Sequence, residues 1–360
     1  MSTEKRNAII IHGGGLVDPS KVVLLRLART LKLSGAYDNI IIGKYSFESL
    51  YNAEFWYDYR GEETENFFRD KRGTCFGTCR GINLTDPELS KKAIECLKTA
   101  EVTTIIVAGG DGSSRQVAEI SDTFMENGIN IIFAVPLTID GINGGPSIGI
   151  KEAVAESIRQ IENIASTSLE TRDNGAFGVV MVELQGRNRD DIMGNVLKEI
   201  FYKDAVADEK LDEILLRVIP ANFDTDEEKL IEEINNSTQK TLVLVSEGAK
   251  IKIPELTKKI NRKVRSLTVG HPSQSNGMTS PENIKKYYEW IDAVCSLIEK
   301  SRYGTYSLVD YEDTIVQLPI NYYAELNPLE NQKAKLPDFL EYLIKKYMTK
   351  WFLKNTQGRL

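Results

Sequence analysis

The chain is poor in cysteine, has no long apolar run and carries no surplus of positive charge, and each shortage closes off a class of function. There are four cysteines, Cys75, Cys79, Cys96 and Cys295. Cys75 and Cys79 lack the second C-x-x-C pair and the histidines of a zinc site, so ordinary reduced thiols of a cytoplasmic protein are expected. A net charge of −7 supplies no basic field for nucleic acid. An anionic ligand would therefore be held by local arginines. No stretch resembles a membrane span, and Met1–Arg6 lacks the apolar core of a signal peptide, so no membrane partner is expected. No glycine run is followed by Gly-Lys-Ser/Thr, which argues against a Walker-type NTPase. The turn Gly110-Asp111-Gly112 lacks the third glycine of the dinucleotide fingerprint, which argues against a Rossmann-type oxidoreductase.

What remains is ordinary for a globular protein: 360 residues, 41% hydrophobic and 27% charged, long enough for about two domains. The stretch from Glu101 to Ile150 organises the rest. It reads as a buried strand (Thr103–Val107), a glycine-acid turn (Ala108 to Ser114) and a helix opening near Arg115. A second strand (Ile131–Val135) then ends in Pro136-Leu137-Thr138-Ile139-Asp140-Gly141. Two acids, Asp111 and Asp140, thus stand just past the carboxyl ends of two apolar strands, where open α/β sheets place ligands. The glycine turn can aim backbone N–H groups at phosphate, with a helix N-terminus behind it.

The same grammar runs through the chain. Ala8–Ile11 is a strand leading into His12-Gly13-Gly14-Gly15, where the glycines either let backbone approach a ligand or merely allow a sharp turn. His12 is either a ligand or a structural residue. Val22–Leu33 is an amphipathic helix and Asn39–Gly43 a strand, which makes βαβ units and a parallel sheet. Phe47–Lys71 is hard to assign; its aromatics read as packing. Asp86–Thr99 is a helix capped by Asp86 or Thr85. Lys151–Thr167 is a helix and Thr171–Gly175 a polar loop. Strands follow at Phe177–Val182, Ile214–Ile219, Thr241–Val245, Arg265–Val269 and Ile315–Leu318. Helices are expected at Asp226–Asn236, Ile253–Arg262, Ser280–Ser301 and Pro337–Lys354. Strand after strand terminates in glycine plus one charged or polar residue: Gly13, Asp111, Asp140, Arg187, Glu247 and His271. Ordinary βα turns also favour Gly and Asp, which explains any one of these ends but six of them poorly.

In this order the motifs resemble the ATP-dependent 6-phosphofructokinase family. Gly109 to Ser113 is similar to its nucleotide and magnesium turn, Pro136 to Asp140 to its catalytic loop, and Val182 to Arg187 to its acceptor loop. Ser246-Glu247-Gly248 and Arg265 to His271 resemble two later acceptor segments, and Gly73–Arg80 an arginine-bearing loop. The resemblance implies two Rossmann-like parallel-sheet α/β domains with the active site in the cleft between them. The larger, nucleotide-binding domain would comprise 1–150 plus about 273–305. The smaller, acceptor-binding domain would comprise 151–272 plus about 306–360. It further implies phosphoryl transfer from ATP to a sugar-phosphate hydroxyl, with Asp111 holding Mg²⁺, Asp140 as general base and Thr138 positioning the hydroxyl. Arg80 would reach the γ-phosphate. Gly13, Arg80, Gly81, Gly110, Gly112 and Ser113 would surround the nucleotide. Ile139, Gln185, Gly186, Arg187, Glu247, His271 and Gln274 would complete the acceptor pocket. Arg265 would serve the site of a neighbouring subunit, in a dimer or tetramer.

Two positions bear on the donor. Pyrophosphate-using members of the family carry Asp where Gly112 stands and Lys where Leu137 stands; both are absent here, which is the ATP pattern. The departures bear on the acceptor. The catalytic loop continues Gly141-Ile142 instead of Asn-Asp, Gly178 occupies the place of a phosphate-binding arginine, and Gln274 that of another; Arg172 lies near enough in sequence to substitute. Losing two charge-assisted contacts of about 1.5–3 kcal/mol each weakens the hold on a sugar phosphate. The acceptor is therefore either fructose 6-phosphate or a different sugar-like molecule, with a non-catalytic nucleotide-binding subunit as the alternative to a kinase.

Overall fold

The computed structural model describes residues 6–14, 17, 19–71, 75–139, 147–186, 190–204, 214–221, 224–270, 279–300, 305–309 and 315–319. Asp140, Arg187, His271, Gln274 and the helix expected at Pro337–Lys354 lie outside them. The chain divides into two compact units, Met1–Glu152 with Ser275–Leu329, and Ala153–Gln274 with Glu330–Leu360.

The first unit runs β1 (Asn7–Gly13), α1 (Ser20–Leu33), β2 (Asn39–Gly43), two short 3-10 turns, β3 (Trp56–Asp58), α2 (Glu62–Arg69) and α3 (Pro87–Thr99). It continues with β4 (Val102–Gly109), α4 (Asp111–Glu126), β5 (Asn130–Thr138), β6 (Ile148–Gly149) and the start of α5 (Ile150–Ser168). The second unit adds β7 (Arg172–Asp173), β8 (Ala176–Phe177), β9 (Val179–Leu184), α6 (Asp191–Asp204) and β10 (Ile214–Ile219). It ends with α7 (Glu227–Asn236), β11 (Lys240–Ser246), α8 (Ile253–Lys259) and β12 (Val264–Val269). The chain then returns to the first unit as α9 (Pro281–Lys300), β13 (Thr305–Val309) and β14 (Ile315–Pro319). The segment from about 306 on is expected in the second domain; its described residues, 306–309 and 315–319, instead extend the first unit's sheet, because β13 pairs with β5 and β14 with β13.

That first sheet has the order β14-β13-β5-β4-β1-β2-β3, with β6 beside β5. Only β3 and β14 run antiparallel to their neighbours. Continuous apolar runs such as Ala8–Ile11 and Ile105–Ala108 are wholly buried, as a sheet covered on both faces requires. One face carries Ile9, Ile11, Ile105, Val107 and Phe133 against α3 and α4. On the other, α1 and α9 pack together. From β1 the chain goes to β2 on one side and only later to β4 on the other, so the switch point lies between β1 and β4. Ligands bind at the carboxyl ends of strands at such a point.

The second unit's sheet, β10-β11-β9-β12, is fully parallel. Its core gathers Val179, Met181, Ile219, Leu230, Val243, Val245 and Leu256.

Several local expectations need correction. The helix of the central stretch begins at Asp111, four residues before the expected Arg115, and β5 runs through Pro136 to Thr138. The polar loop Thr171–Gly175 is a hairpin: Arg172 pairs with Phe177 while Asn174 and Gly175 sit at φ +50° and +86°. That Asn-Gly pair is the usual signal for a two-residue turn. The helix expected to reach Arg262 stops at Lys259. Asp86, not Thr85, caps α3: its Oδ1 accepts from the backbone N–H of Glu88 (2.9 Å) and Leu89 (3.1 Å).

Candidate functional site

The ends of β1 and β4 meet through glycine. A Cβ on Gly109 would overlap the carbonyl oxygen of Gly13 and stand 2.8 Å from Ser113 Oγ; one on Gly13 would overlap Ser113 Oγ. Both positions therefore exclude side chains, and β4 ends flush against the opening of α4. Gly110 supplies the first helical acceptor: its carbonyl takes the N–H groups of Ser113 and Ser114 at 3.0 Å. The first N–H groups of a helix have no internal partner, so this end is built to bond an anion. Gly112 differs from its neighbours, with no heavy atom within 4 Å of an added Cβ.

A cavity of about 430 Å³ opens over this end. Arg80, Gly81, Gly110, Asp111, Gly112, Ser113 and Thr138 all line it, so seven residues expected from sequence are brought together. Gly13 lies behind the wall as the spacer that lets Ser113 approach. Thr138, at the end of β5, stands 3.2 Å from where a Gly110 Cβ would be, and its carbonyl accepts from Ser147 Oγ at 3.0 Å. Ile139, the last described residue before Asp140, is buried.

The sequence reading missed the remaining wall: Ser46, Phe47, Cys79, Ile82 and Gln116. Ser46 and Phe47 follow β2, so the strand-end rule that found the other positions applies here as well. Tyr45 and Ser46 hold φ +61° and +60°, uncommon for residues with side chains and concentrated where function needs them. The Tyr45 N–H bonds the Phe76 carbonyl at 2.9 Å, which ties this turn to the loop bearing Arg80. Gln116 Nε2 reaches the Ile82 carbonyl at 2.8 Å from α4.

His12 does not line the cavity. It is 1% exposed, both ring nitrogens lack a hydrogen-bond partner among the described residues, and burial lowers its pKa to about 4. The imidazole is neutral and part of the core.

Among the described residues no group of three or more His, Cys, Asp and Glu side chains could hold a metal on its own. Asp111 is a single acid at the N-terminal end of α4, lining the cavity. This fits Mg²⁺, which is commonly held by one or two carboxylates together with substrate phosphates and water.

In the second unit the ends of β9, β10 and β11 are joined by side chains. The Glu247 N–H bonds the Leu184 carbonyl (2.8 Å), while Ser246 Oγ and the Gly248 N–H both bond the Gly186 carbonyl (3.1 Å each). The Gly186 N–H points to Glu247 Oε2 at 3.5 Å, and Gly186 takes φ +141°, a conformation open to glycine. Gln185 is buried, and its Oε1 has no hydrogen-bond partner among the described residues. Asp190 stands at the N-cap of α6, since Gly194 N–H bonds its carbonyl at 2.8 Å. Its carboxylate turns instead to the Ala221 N–H, at 3.1 and 3.3 Å. Burial, foremost, pushes the Asp190 carboxyl up.

Gln185, Gly186 and Glu247 are thus gathered, and Arg265 is not. It is exposed on β12 opposite Val180, well short of the strand end where the other three meet. Gly178 cannot carry the arginine that the resemblance puts there, because a Cβ would overlap the Ser168 carbonyl. Arg172 is exposed, bonds the Gly175 carbonyl at 2.8 Å and lies over the Phe177 ring.

Comparison with known proteins gives one consistent result. The family profile described as Phosphofructokinase matches residues 7–286. The chain is 27% identical over 262 residues to the ATP-dependent 6-phosphofructokinase 2 of Clostridium perfringens, covering 69% of this chain and 65% of that protein. It is 26% identical over 290 residues to the ATP-dependent 6-phosphofructokinase of Staphylococcus epidermidis, covering 78% and 82%. The match spans only 33% of the ATP-dependent 6-phosphofructokinase of Spiroplasma citri. Among solved structures, the pyrophosphate-dependent phosphofructokinase of Marinobacter aquaeolei aligns with TM-score 0.70 at 16% identity, covering 94% of this chain and 91% of that one. The phosphofructokinase of Saccharomyces cerevisiae aligns with TM-score 0.70 at 18% identity, covering 94% and 48%. No helix among the described residues is long and apolar enough to cross a membrane.

Proposed function

The chain belongs to the phosphofructokinase family, and from that premise we propose that it is a kinase moving the γ-phosphoryl group of ATP to a hydroxyl of a sugar phosphate. The observation that carries this reading is the convergence of Arg80, Asp111, Ser113 and Thr138 on one glycine-walled cavity at the switch point of the first sheet. Asp140, two residues past Thr138, takes the proton from the attacking hydroxyl as general base. The oxygen bonds the γ-phosphorus, the bond to the β-phosphate oxygen breaks, and ADP leaves. Arg80 neutralises charge on the transferring group, where catalysis is chiefly positioning and electrostatic. Mg²⁺ would be held by Asp111 together with the nucleotide phosphates and would supply the remaining positive charge.

ATP as donor is supported by Gly112 and by Leu137, which is wholly buried and uncharged. The acceptor is held by Gln185, Gly186, Arg187 and Glu247, with His271 and Gln274 from the later segment. The protein works in the cytoplasm as a homo-oligomer, with the exposed Arg265 of one copy serving the next. Fructose 6-phosphate is the first acceptor to test. A different sugar or nucleoside-linked sugar is favoured by one specific observation, the closed position at Gly178, which removes an anchor for a phosphate dianion.

The test measures ADP release from ATP, and phosphate release from pyrophosphate, against a panel of sugars and sugar phosphates. Turnover with at least one acceptor is expected, with ATP preferred. Asp140→Asn should lower kcat by about 10²–10⁴-fold and leave nucleotide affinity within twofold. Absence of turnover with every acceptor and donor would sink the kinase reading.

A further inference from the structure

One polar cluster in the first unit takes no part in the chemistry above. Glu152, in the first turn of α5, is 2% exposed, and Tyr287 on α9 is 1% exposed. The Tyr287 hydroxyl is shared between Glu152 Oε1 and Oε2 at 3.0 and 2.9 Å, and Asn283 Nδ2 donates to Oε1 at 3.0 Å. Asn283 and Tyr287 are spaced i, i+4, so one face of α9 presents both donors. Ser280 fixes the start of that helix, its Oγ accepting the Asn283 N–H at 3.1 Å. Burial, and then the neighbouring Glu152, push the Tyr287 phenol far up, so it remains a donor. Gly149, three residues before Glu152, ends β6 and leads straight into α5.

Gly149 is the point of leverage. It belongs to β6, which pairs Ile148 with Leu137 and Gly149 with Thr138. It sits at φ +114°, and an added Cβ would lie 3.0 Å from the Thr138 carbonyl oxygen and overlap a Val17 methyl. Ser147, just before it, bonds that same carbonyl. A continuous path therefore runs from Asn283 and Tyr287 on α9 to Glu152, back along the chain to Gly149, and through the pairing of β6 with β5 to Thr138, which lines the cavity. An apolar pair of equal volume would fill the space under β6. It would not fix the register of two short segments, because hydrophobic contact has no direction. A hydrogen bond does, and breaking one partner of such a buried group leaves the other unsatisfied.

We infer that Tyr287 and Glu152 are positioning residues for the carboxyl end of β5: through Gly149 they hold Thr138 at the depth where the acceptor hydroxyl must meet the phosphoryl group. This rests on the kinase reading of the cavity, but its mechanical half does not. Glu152 is also the last residue of the first unit before the chain passes into the second. The pin thus stands where movement of that connection would otherwise be felt by β5.

The test uses the full chain and two variants, Tyr287→Phe and Glu152→Gln, with two readouts. In Tyr287→Phe, amide hydrogen exchange should rise at least about tenfold over 147–150 and 137–138, with β1 and β4 unchanged, since exchange reports local opening free energy. The kcat should fall about tenfold, near 1.4 kcal/mol, with KM for ATP within twofold. Glu152→Gln keeps an acceptor carbonyl and should fall between wild type and Tyr287→Phe; it also serves if the latter does not fold. A rise in exchange spread evenly over the first unit, or no rise, overturns the proposal. So does a local rise with unchanged kcat in an active enzyme. If the wild type turns over no acceptor, the kinase reading fails separately and the exchange pattern alone decides whether the pin exists.

Discussion

The carboxyl ends of β1 and β4 are joined by absent side chains, while those of β9, β10 and β11 are joined by present ones. In the first unit Gly13 and Gly109 press backbone to backbone, and glycines and the opening of α4 form part of the cavity wall. In the second, Asp190, Ser246 and Glu247 reach across to neighbouring loops. The difference fits the two ligands proposed. A polyphosphate is bound well by backbone N–H groups, which need bare approach. A polyol is distinguished by directional acceptors, which must be held still. Two buried titratable groups shift in opposite senses: His12 of the first unit is kept neutral by burial, while the Asp190 carboxyl of the second is pushed up.

The contrast breaks most directly at Gly109. Gly109→Ala is expected to cost about 3 kcal/mol or more, as overpacking against backbone does, and to abolish nucleotide binding. Gly112→Ala, three residues on and open on all sides, should be neutral or slightly stabilising, since alanine suits a helix better than glycine. Urea unfolding and nucleotide titration of the pair check this. Equal behaviour of the two would mean that the cradle is not shaped by exclusion.

The next effect is in pH. His12 titrates near 4 when folded and at its ordinary 6.5 when unfolded. Above 6.5 both states are neutral. As pH falls from 6.5 to 4 the unfolded chain takes up a proton that the folded one refuses, so stability is lost, by at most about 3 kcal/mol. Asp190 runs the other way: its raised carboxyl is a cost at neutral pH that is relieved by protonation as pH falls. Acidification should therefore loosen the first unit and not the second, read as region-resolved hydrogen exchange at pH 7 and pH 5. His12→Leu should flatten the first response, and a uniform response of both units would contradict the assignment.

The smallest effect sharpens the second half of the comparison. Asp190→Ala leaves the Ala221 N–H buried without its partner, a loss of about 2 kcal/mol. It should raise the acceptor KM while leaving that for ATP alone. A change in the ATP KM instead would mean that Asp190 does not serve the acceptor loops.

Much of this was legible before folding. Apolar runs ending in glycine plus a polar or charged residue located β1, β4, β5, β9 and β11, and the cavity residues Gly110 to Ser113 and Thr138, because strand, turn and helix start are local patterns; Arg80 and Gly81 came from the family resemblance. Where the reading slipped, long-range forces had decided. Asp111-Gly112-Ser113-Ser114 has poor helix propensity and looks like a turn, yet it is helical because β4 delivers it to an end packed under Gly13. Ser46 and Phe47 were lost among aromatics, because short 3-10 turns and the three-residue β3 have too little length for a periodicity. Asp190 has the sequence position of an ordinary helix cap, and only its burial beside Ala221 distinguishes it. The arginine missing at Gly178 was visible as an absence; the reason, the Ser168 carbonyl in its way, was not.

By itself, then, the sequence determined the alternation of strand and helix, the parallel sheets and the chemistry gathered at strand ends, since these depend on residues within a few positions of one another. The tertiary structure alone decided which glycines must stay bare, which buried carboxylate faces which loop, and that Tyr287 reaches Glu152. Those depend on atoms brought together from segments up to more than a hundred residues apart, such as Tyr287 and Glu152. A pattern confined to neighbouring residues carries no trace of such distances.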